Sequence, residues 1–414
     1  MRLKLLQSGR AERSRAHSSL RYAQGLWWTA LTFMGLSSLC PLSDAAPPPL
    51  YSPAVTLKAL RHPAGALDAL RYLHTLRPID RALLAGEELF RQLDELILDE
   101  RRSLQVRLWS VELLKAMGAA RPSLQALIKA SLTLGSPEDR EGTEALILAR
   151  SAALSLRALG RADLLTEALS HPDPELRGHA AASGAGPKRL CQLALTDPWP
   201  QVRGSAIRGL ERVGGSEALC LREALRDQEP QLQARAAAVL GALKGESSWS
   251  PSEPQRAAVI RALRALAGTA SAPLNARASA LISLGRWGSH QPCDQIFKTH
   301  LGKGGIIPLA LAAVEATALG TLSGEEKLKK LSPILEQSSS LEVRLSAASW
   351  IARLGAPNGA RLLRRAADRA EAREARAYLK YLDRAQGVSE DQAPPAEAID
   401  PLVPALEDED REGL

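Results

Sequence analysis

The sequence of 414 residues lacks the strict alternation of apolar and polar residues, rich in β-branched side chains, that β-strands require. Apolar residues recur instead every three or four positions, which is the spacing of one face of an α-helix. Glycine and proline interrupt these helical stretches at short intervals. The missing strand pattern excludes sheet architectures and predicts an all-α chain.

Familiar catalytic motifs are also missing. The sequence contains no HExxH, no GxSxG, no phosphate loop and no dinucleotide-binding fingerprint. Lys303 lies among glycines but lacks the following Ser or Thr of a phosphate loop. His171 and His179 are assigned turn and surface roles rather than metal ligation. We therefore expect a chain that is not an enzyme, with no catalytic residue, no cofactor and no metal.

Long apolar runs are absent except near the N-terminus. Six basic residues between Arg2 and Arg21 precede an uncharged apolar run from Gly25 to Leu39. Ser43 and Ala45 then place small residues at the positions that a signal peptidase recognises. We predict a signal peptide over residues 1–45, cleaved after Ala45, and a periplasmic or secreted protein. An uncleaved anchor in the inner membrane and a misassigned start codon are the alternatives.

Both ends of the chain differ in composition from its middle. A Pro-rich linker over 46–56 precedes a predicted repeat body over 57–387. The segment 388–414 holds nine acidic residues, one basic residue and several prolines, so we predict a disordered acidic tail. Residues 1–45 carry +4 and the tail −8 of a total of +7, which leaves a body of +11.

Three segments in the body repeat the same nine-residue pattern. Each opens with Leu, has Pro at its sixth position and closes with an aliphatic residue followed by Arg or Gln; they are 169–177, 195–203 and 225–233. Offsets of 26 and 30 residues are typical of stacked supersecondary units that cannot bury their apolar faces alone. Asp173 and Pro174 have the residue types of an N-cap and a first helical position. Each repeat therefore predicts two antiparallel helices.

The pattern extends to about eight units and resembles HEAT-type repeats, in the compact form of the phycobilisome-lyase type. The resemblance implies an α-solenoid, an armadillo/HEAT-like superhelix, in which an Asp in each turn and an Arg in the next helix bridge successive units. Asp197 and Arg203 match both positions. His171 replaces the Asp in one unit and Gln233 replaces the Arg in another, which leaves a complete polar ladder open. The resemblance implies no catalytic residue.

Few cysteines are present. Three remain after the predicted cleavage, and Cys191 and Cys220 fall in the second helices of neighbouring units. Their positions relative to the repeat differ by one residue, which rotates the two side chains by about 100° on regular helices. We predict free, buried thiols, with a disulfide between units as the alternative.

Two sets of residues are candidates for binding a partner. Trp199 occupies a turn that does not require it, and Trp249 lies in a loop, so either could anchor an interface. Basic residues late in the body follow a mostly four-residue spacing and predict a cationic stripe on one terminal helix; they are Arg361, Arg365, Arg369, Arg373 and Lys380. The alternatives are packing for the tryptophans and a solvated, ion-paired face for the stripe.

These features favour an exported, non-enzymatic scaffold that binds protein partners on its repeat surface. A nucleic-acid-binding solenoid would suit the basic body but conflicts with export, so nucleic acid is not the expected partner. A lyase- or glycosylase-like enzyme on the same repeats is a third reading. No small-molecule substrate is evident, and membrane contact is expected only through an uncleaved N-terminal segment.

Overall fold

The computed structural model describes residues 53–133, 140–243, 251–303, 305–355 and 357–387. Within these ranges the chain is helical and contains no strand, which confirms the predicted all-α class. The predicted signal peptide, its cleavage site after Ala45, and the acidic tail lie outside the described residues.

The N-terminal part of the described chain is a group of four helices: α1 (Pro53–Arg61), α2 (Ala66–Thr75), α3 (Pro78–Leu84) and α4 (Glu87–Leu98). Helix α1 begins at Pro53, inside the range predicted as a Pro-rich linker. Proline is accepted at a first helical position, where its missing N–H is not needed.

Eight helix pairs follow and confirm the predicted solenoid. The first helices of the pairs are α5 (Leu104–Ala116), α7 (Arg140–Ala158), α8 (Pro174–Ala182), α10 (Pro200–Val213), α12 (Pro230–Ala242), α14 (Leu274–Arg286), α16 (Ile307–Leu319) and α18 (Leu341–Arg353). The regular second helices are α6 (Pro122–Thr133), α9 (Pro187–Thr196), α13 (Glu253–Gly268), α15 (Gln291–Lys303), α17 (Gly324–Gln337) and α19 (Pro357–Arg369). Helix α20 (Ala372–Gly387) packs on α18 and α19 after the last pair.

Two pairs lack a regular second helix. After α7 the chain forms two short 3-10 segments, Ala162–Leu165 and Glu167–Ser170. After α10 it forms a 3-10 segment over Gly215–Cys220 and then α11, a single turn over Leu221–Ala224. The expectation of two helices of three turns in every unit was therefore wrong at these two places.

The first helices form a closely packed layer, because glycine lets neighbouring backbones meet. A Cβ atom on Gly209 of α10 would lie 2.0 Å from the carbonyl oxygen of Ala181 in α8. A Cβ atom on Gly285 of α14 would lie 2.1 Å from the carbonyl oxygen of Ala316 in α16. Both separations are far below any real Cβ contact, so these two positions require glycine.

The apolar side chains of both layers form one continuous core along the stack. Trp287 is completely buried at the end of α14, and its indole nitrogen donates to the carbonyl oxygen of Leu240, 2.8 Å away, in α12. The core thus links neighbouring pairs as a repeat architecture requires. None of the described helices combines the length and apolarity needed to cross a bilayer.

Candidate functional site

The turns that lead from one pair into the next share one edge of the stack, because successive first helices all begin there. We call this edge the turn edge; it includes residues 171–174, 197–200, 227–230 and 269–273. Three of these turns are the repeated segments seen in the sequence. The candidate partner-binding residue Trp199 lies in the second of them.

Charged pairs connect successive turns across this edge. Arg177 binds Asp197 through two parallel hydrogen bonds of 2.8 and 3.1 Å, and Arg203 binds Asp227 in the same way at 2.7 and 2.9 Å. The four side chains are 3–13% exposed. The hydrogen bond to Asp227 raises the pKa of Arg203, so the pair stays ionised. We call each such pair a rung; two further rungs are Arg150–Asp173 and Arg344–Glu374.

The unit with His171 still forms a rung, but its acidic residue lies two positions later in the turn. Nδ1 of His171 accepts from the backbone N–H of Asp173 at 3.0 Å, as the carboxylate of Asp197 accepts from the N–H of Trp199 at 3.0 Å. Asp173, two residues later, then binds Arg150 and also caps α8 as predicted. A histidine thus supplies the turn acceptor, and the aspartate two residues on supplies the charge.

The unit with Gln233 has no rung to the next turn. The amide nitrogen of Gln233 donates to the carbonyl oxygen of Asp227 at 2.7 Å, as Arg203 donates to that of Asp197 at 3.0 Å. The following turn, residues 269–273, contains no acidic residue to complete a rung. The side-chain oxygen of Gln233 is buried and has no donor among the described residues. The ladder is therefore interrupted between the turns at 227–230 and 269–273.

A groove of about 600 Å³ opens at this interruption. We call it the rung groove. One wall comes from the region of α11 and the other from α13, and its lining includes Arg222, Arg226, Gln233, Arg261, Ala262 and Leu266. The short α11 and the shorter side chain at 233 leave the space between these walls open. No feature of the sequence except the substitution at Gln233 pointed to this groove.

Trp199 differs from the other tryptophans of the described chain. The residue is 45% exposed, and it has no aromatic or cationic partner among the described residues. The hydrogen bonds that Trp199 forms within the described chain use its backbone, with the carboxylate of Asp197 and with the first turn of α10. Trp109, Trp287 and Trp350 are buried or half-buried, as a packing role requires.

The free-thiol prediction for Cys191 and Cys220 was wrong. The two residues form a disulfide, with Cα atoms 5.9 Å apart. The predicted rotation of about 100° between the two side chains applies when both cysteines lie on regular helices. Cys220 instead ends a 3-10 segment, so its side chain points in a different direction. The bridge joins two neighbouring units and encloses the turn that carries Trp199. Cys293 is a free, buried cysteine, and burial raises the pKa of its thiol to about 12.

A cluster of titratable side chains lies at the start of α8. Burial and the charges of Arg157 and Arg150 lower the pKa of His179 to about 4, while burial raises the pKa of Glu175. Nε2 of His179 lies 3.9 Å from the nearest carboxylate oxygen of Glu175, which is too far for a hydrogen bond. His179 is half-buried, with its side chain 19% exposed, and its geometry with Glu175 is not that of an acid–base pair.

The cationic stripe is divided between two helices. The prediction of one terminal helix was wrong, because α19 ends at Arg369 and the chain turns at 370–371 before α20. Arg361, Arg365 and Arg369 are exposed on α19 and Lys380 on α20, while Arg373 falls within α20. Glu374, which lies beside Arg373 in α20, forms a rung with Arg344.

These candidates do not form one site. The stripe lies on the second helix of the last pair and on α20, whereas Trp199 lies several pairs earlier on the turn edge. Trp249 falls outside the described residues. No group of three or more His, Cys, Asp or Glu side chains in the described ranges is arranged to hold a metal ion.

Comparison with known proteins finds structural similarity but no matching family. No family model matches, and no curated protein matches. Similar solved structures include an engineered protein (15% identity, TM-score 0.39, covering 81% of this chain and 98% of that one). Human deoxyhypusine hydroxylase in complex with glycerol is 17% identical, with a TM-score of 0.26 and coverage of 64% and 95%. The complex of CpcE and CpcF of phycocyanin lyase from Nostoc sp. PCC7120 is 18% identical, with a TM-score of 0.27 and coverage of 76% and 99%.

The prediction that the chain is not an enzyme was wrong as reasoned. Two of these neighbours are a hydroxylase and a lyase with a HEAT-like fold, so missing catalytic motifs do not exclude an enzyme on such repeats. At 17% and 18% identity and at these TM-scores, the likeness carries no argument about the activity of this chain.

Proposed function

We propose that this chain is an exported HEAT-like repeat scaffold that binds a protein partner at its turn edge, with Trp199 as the anchor. The exposed indole of Trp199 is the observation that carries the proposal. A tryptophan is among the residues whose removal costs interfaces the most free energy. The turn itself uses only the backbone of Trp199, so its side-chain type serves another purpose.

The surroundings of Trp199 favour binding without rearrangement. The rung Arg177–Asp197 connects α8 to the turn that carries Trp199. The rung Arg203–Asp227 connects α10, which follows Trp199, to the next turn. The disulfide between Cys191 and Cys220 ties together the two units on either side. A side chain on a preorganised turn loses less conformational entropy on binding than one on a mobile loop.

The disulfide also supports export. Disulfides form and persist in oxidising compartments such as the periplasm, and they are rare in the cytosol. This agrees with the basic leader and the apolar run that precede Ala45 in the sequence. The mass of the protein purified from its source cells tests this part: a chain beginning at Ala46 is expected, and an intact N-terminus in the cytosolic fraction refutes export.

Affinity capture with a matched pair of variants tests the binding site. Trp199→Ala removes the exposed indole, and Val213→Ala truncates an apolar residue that is 37% exposed at the end of α10, on the edge opposite the turn edge. We expect a partner that is retained by the wild type and by Val213→Ala and is lost with Trp199→Ala. The loss should be roughly thirtyfold in affinity, because anchor residues contribute about 2 kcal/mol or more. Equal retention by both variants refutes the anchor.

A further inference from the structure

The rung groove lies where the series of rungs along the turn edge is interrupted. At the rungs, each arginine has a carboxylate partner within 3.3 Å. At the interruption, Gln233 replaces the arginine, the next turn has no acid, and the space between α11 and α13 is open. The groove thus lacks the protein carboxylate that the rungs supply.

Three arginines line the groove against one acidic residue. Arg226 is 86% exposed and has only a 3.8 Å contact with Glu223, and Arg222 donates one hydrogen bond to the carbonyl oxygen of Leu219. Arg261 faces them from α13 and has no ion-pair partner among the described residues. A guanidinium has five N–H donors, so most of this donor capacity is unused.

Apolar side chains also line the groove. They are Leu225 beside α11 and Ala258, Ala262, Ala265 and Leu266 on α13. A ligand that carries carboxylates alone would leave this apolar surface uncovered. A ligand that carries carboxylates and aliphatic groups together contacts both the arginines and the apolar side chains.

We propose that the rung groove binds an acidic, extended peptide segment of the protein partner, whose carboxylates take the place of the missing rung acid. From Ala258 to Thr269 the helical wall is about 17 Å long, which is the length of about five extended residues. Arg222 lies in α11 and Arg226 lies two residues beyond its end, on one wall, while Arg261 lies on the other wall beside the apolar residues of α13. The preferred ligand therefore combines acidic and aliphatic residues.

The partner class rests on the proposed function, but the groove can be tested without the partner. The probe is a fluorescent peptide of about eight residues in which Glu alternates with Leu or Ala. Its binding to the purified mature protein is measured by fluorescence anisotropy. The same peptide with Gln in place of Glu, and an oligonucleotide of equal negative charge, are the comparison ligands.

Substitutions at the groove and at the stripe separate local recognition from general charge attraction. Arg226→Gln and Arg261→Gln should each weaken the Glu peptide roughly five- to thirtyfold, and together more. The controls Arg361→Gln and Arg365→Gln remove exposed charges of the stripe and should leave the affinity within about twofold. Circular dichroism and thermal unfolding of each variant verify that the fold is intact.

Several results overturn the inference. These are an affinity that falls equally with groove and stripe substitutions, equal binding of the Gln peptide, tighter binding of the oligonucleotide, or no binding of the Glu peptide at all. If peptide binding fails while capture through Trp199 succeeds, the groove assignment is refuted and the proposed function stands. If capture fails while the peptide binds at the groove, Trp199 is not the anchor and the groove assignment stands.

Discussion

Removal of one rung arginine should destabilise the stack far more than removal of an exposed one. In Arg177→Ala, the carboxylate of Asp197, which is 3% exposed in the wild type, loses its bidentate partner. The carbonyl oxygens of His171 and Pro172 also lose the hydrogen bonds of 2.8 and 2.7 Å that Arg177 donates. The substitution therefore removes the charged partner of a buried carboxylate and leaves it the backbone N–H of Trp199 as a donor.

The magnitude follows from burial. Breaking a buried ion pair by removing one partner costs about 3–5 kcal/mol, whereas an exposed pair contributes about 0–1 kcal/mol. The Arg161–Asp163 pair has similar geometry but side chains that are 41% and 59% exposed. Arg161→Ala is thus a matched control, for which we expect little or no loss of stability.

Urea unfolding followed by circular dichroism measures both variants. The free energy of unfolding should fall by at least about 2 kcal/mol more in Arg177→Ala than in Arg161→Ala. The double substitution of Arg177 and Asp197 should cost less than the sum of the single ones, because it removes the uncompensated charge. Equal losses in Arg177→Ala and Arg161→Ala would refute the structural role of the rungs.

Three further predictions concern other contacts. Gly285→Ala should lower stability by about 1–3 kcal/mol, because its Cβ meets the carbonyl oxygen of Ala316. Gly268→Ala, with open space around it, should be neutral or stabilising. Thermal unfolding distinguishes the two variants, and similar Tm values contradict close packing of the first helices. The fold favours the neutral form of His179, so the stability that this form contributes is present above about pH 6.5 and is lost as pH falls towards 4. His179→Gln should reduce this loss of stability at acidic pH. An unchanged dependence of stability on pH contradicts the prediction. Cys191 and Cys220 are 29 residues apart, so reduction of their disulfide should lower the free energy of unfolding by about 3–4 kcal/mol. An unchanged midpoint of urea unfolding after reduction contradicts this.

The sequence predicted the architecture because helical spacing and the repeated turns both depend on local residue types. Asp173 and Pro174 form the cap and the first helical position that their types indicate. The eight predicted units correspond to the eight helix pairs. Caps and turns are determined within a few residues, so their chemistry can be inferred from spacing alone.

The failures have a common cause in contacts between units. The rung of Arg150 with Asp173 and that of Arg344 with Glu374 join residues 23 and 30 positions apart, and the acid lies outside the expected column. The disulfide was missed because a 3-10 segment over Gly215–Cys220 changes the direction of the second cysteine. The rung groove depends on an arginine and an acid that are both absent. Such features are set by how neighbouring units pack, which a repeat pattern does not specify.

Site-specific photo-cross-linking in the source cells tests directly whether Trp199 contacts a protein partner. A photoreactive amino acid replaces Trp199 in one variant and Val213, an exposed apolar residue on the opposite edge, in another. We expect one defined adduct with another protein from position 199 and none of that mass from position 213. No adduct from position 199, or the same adduct from both positions, would contradict a partner-binding site at Trp199.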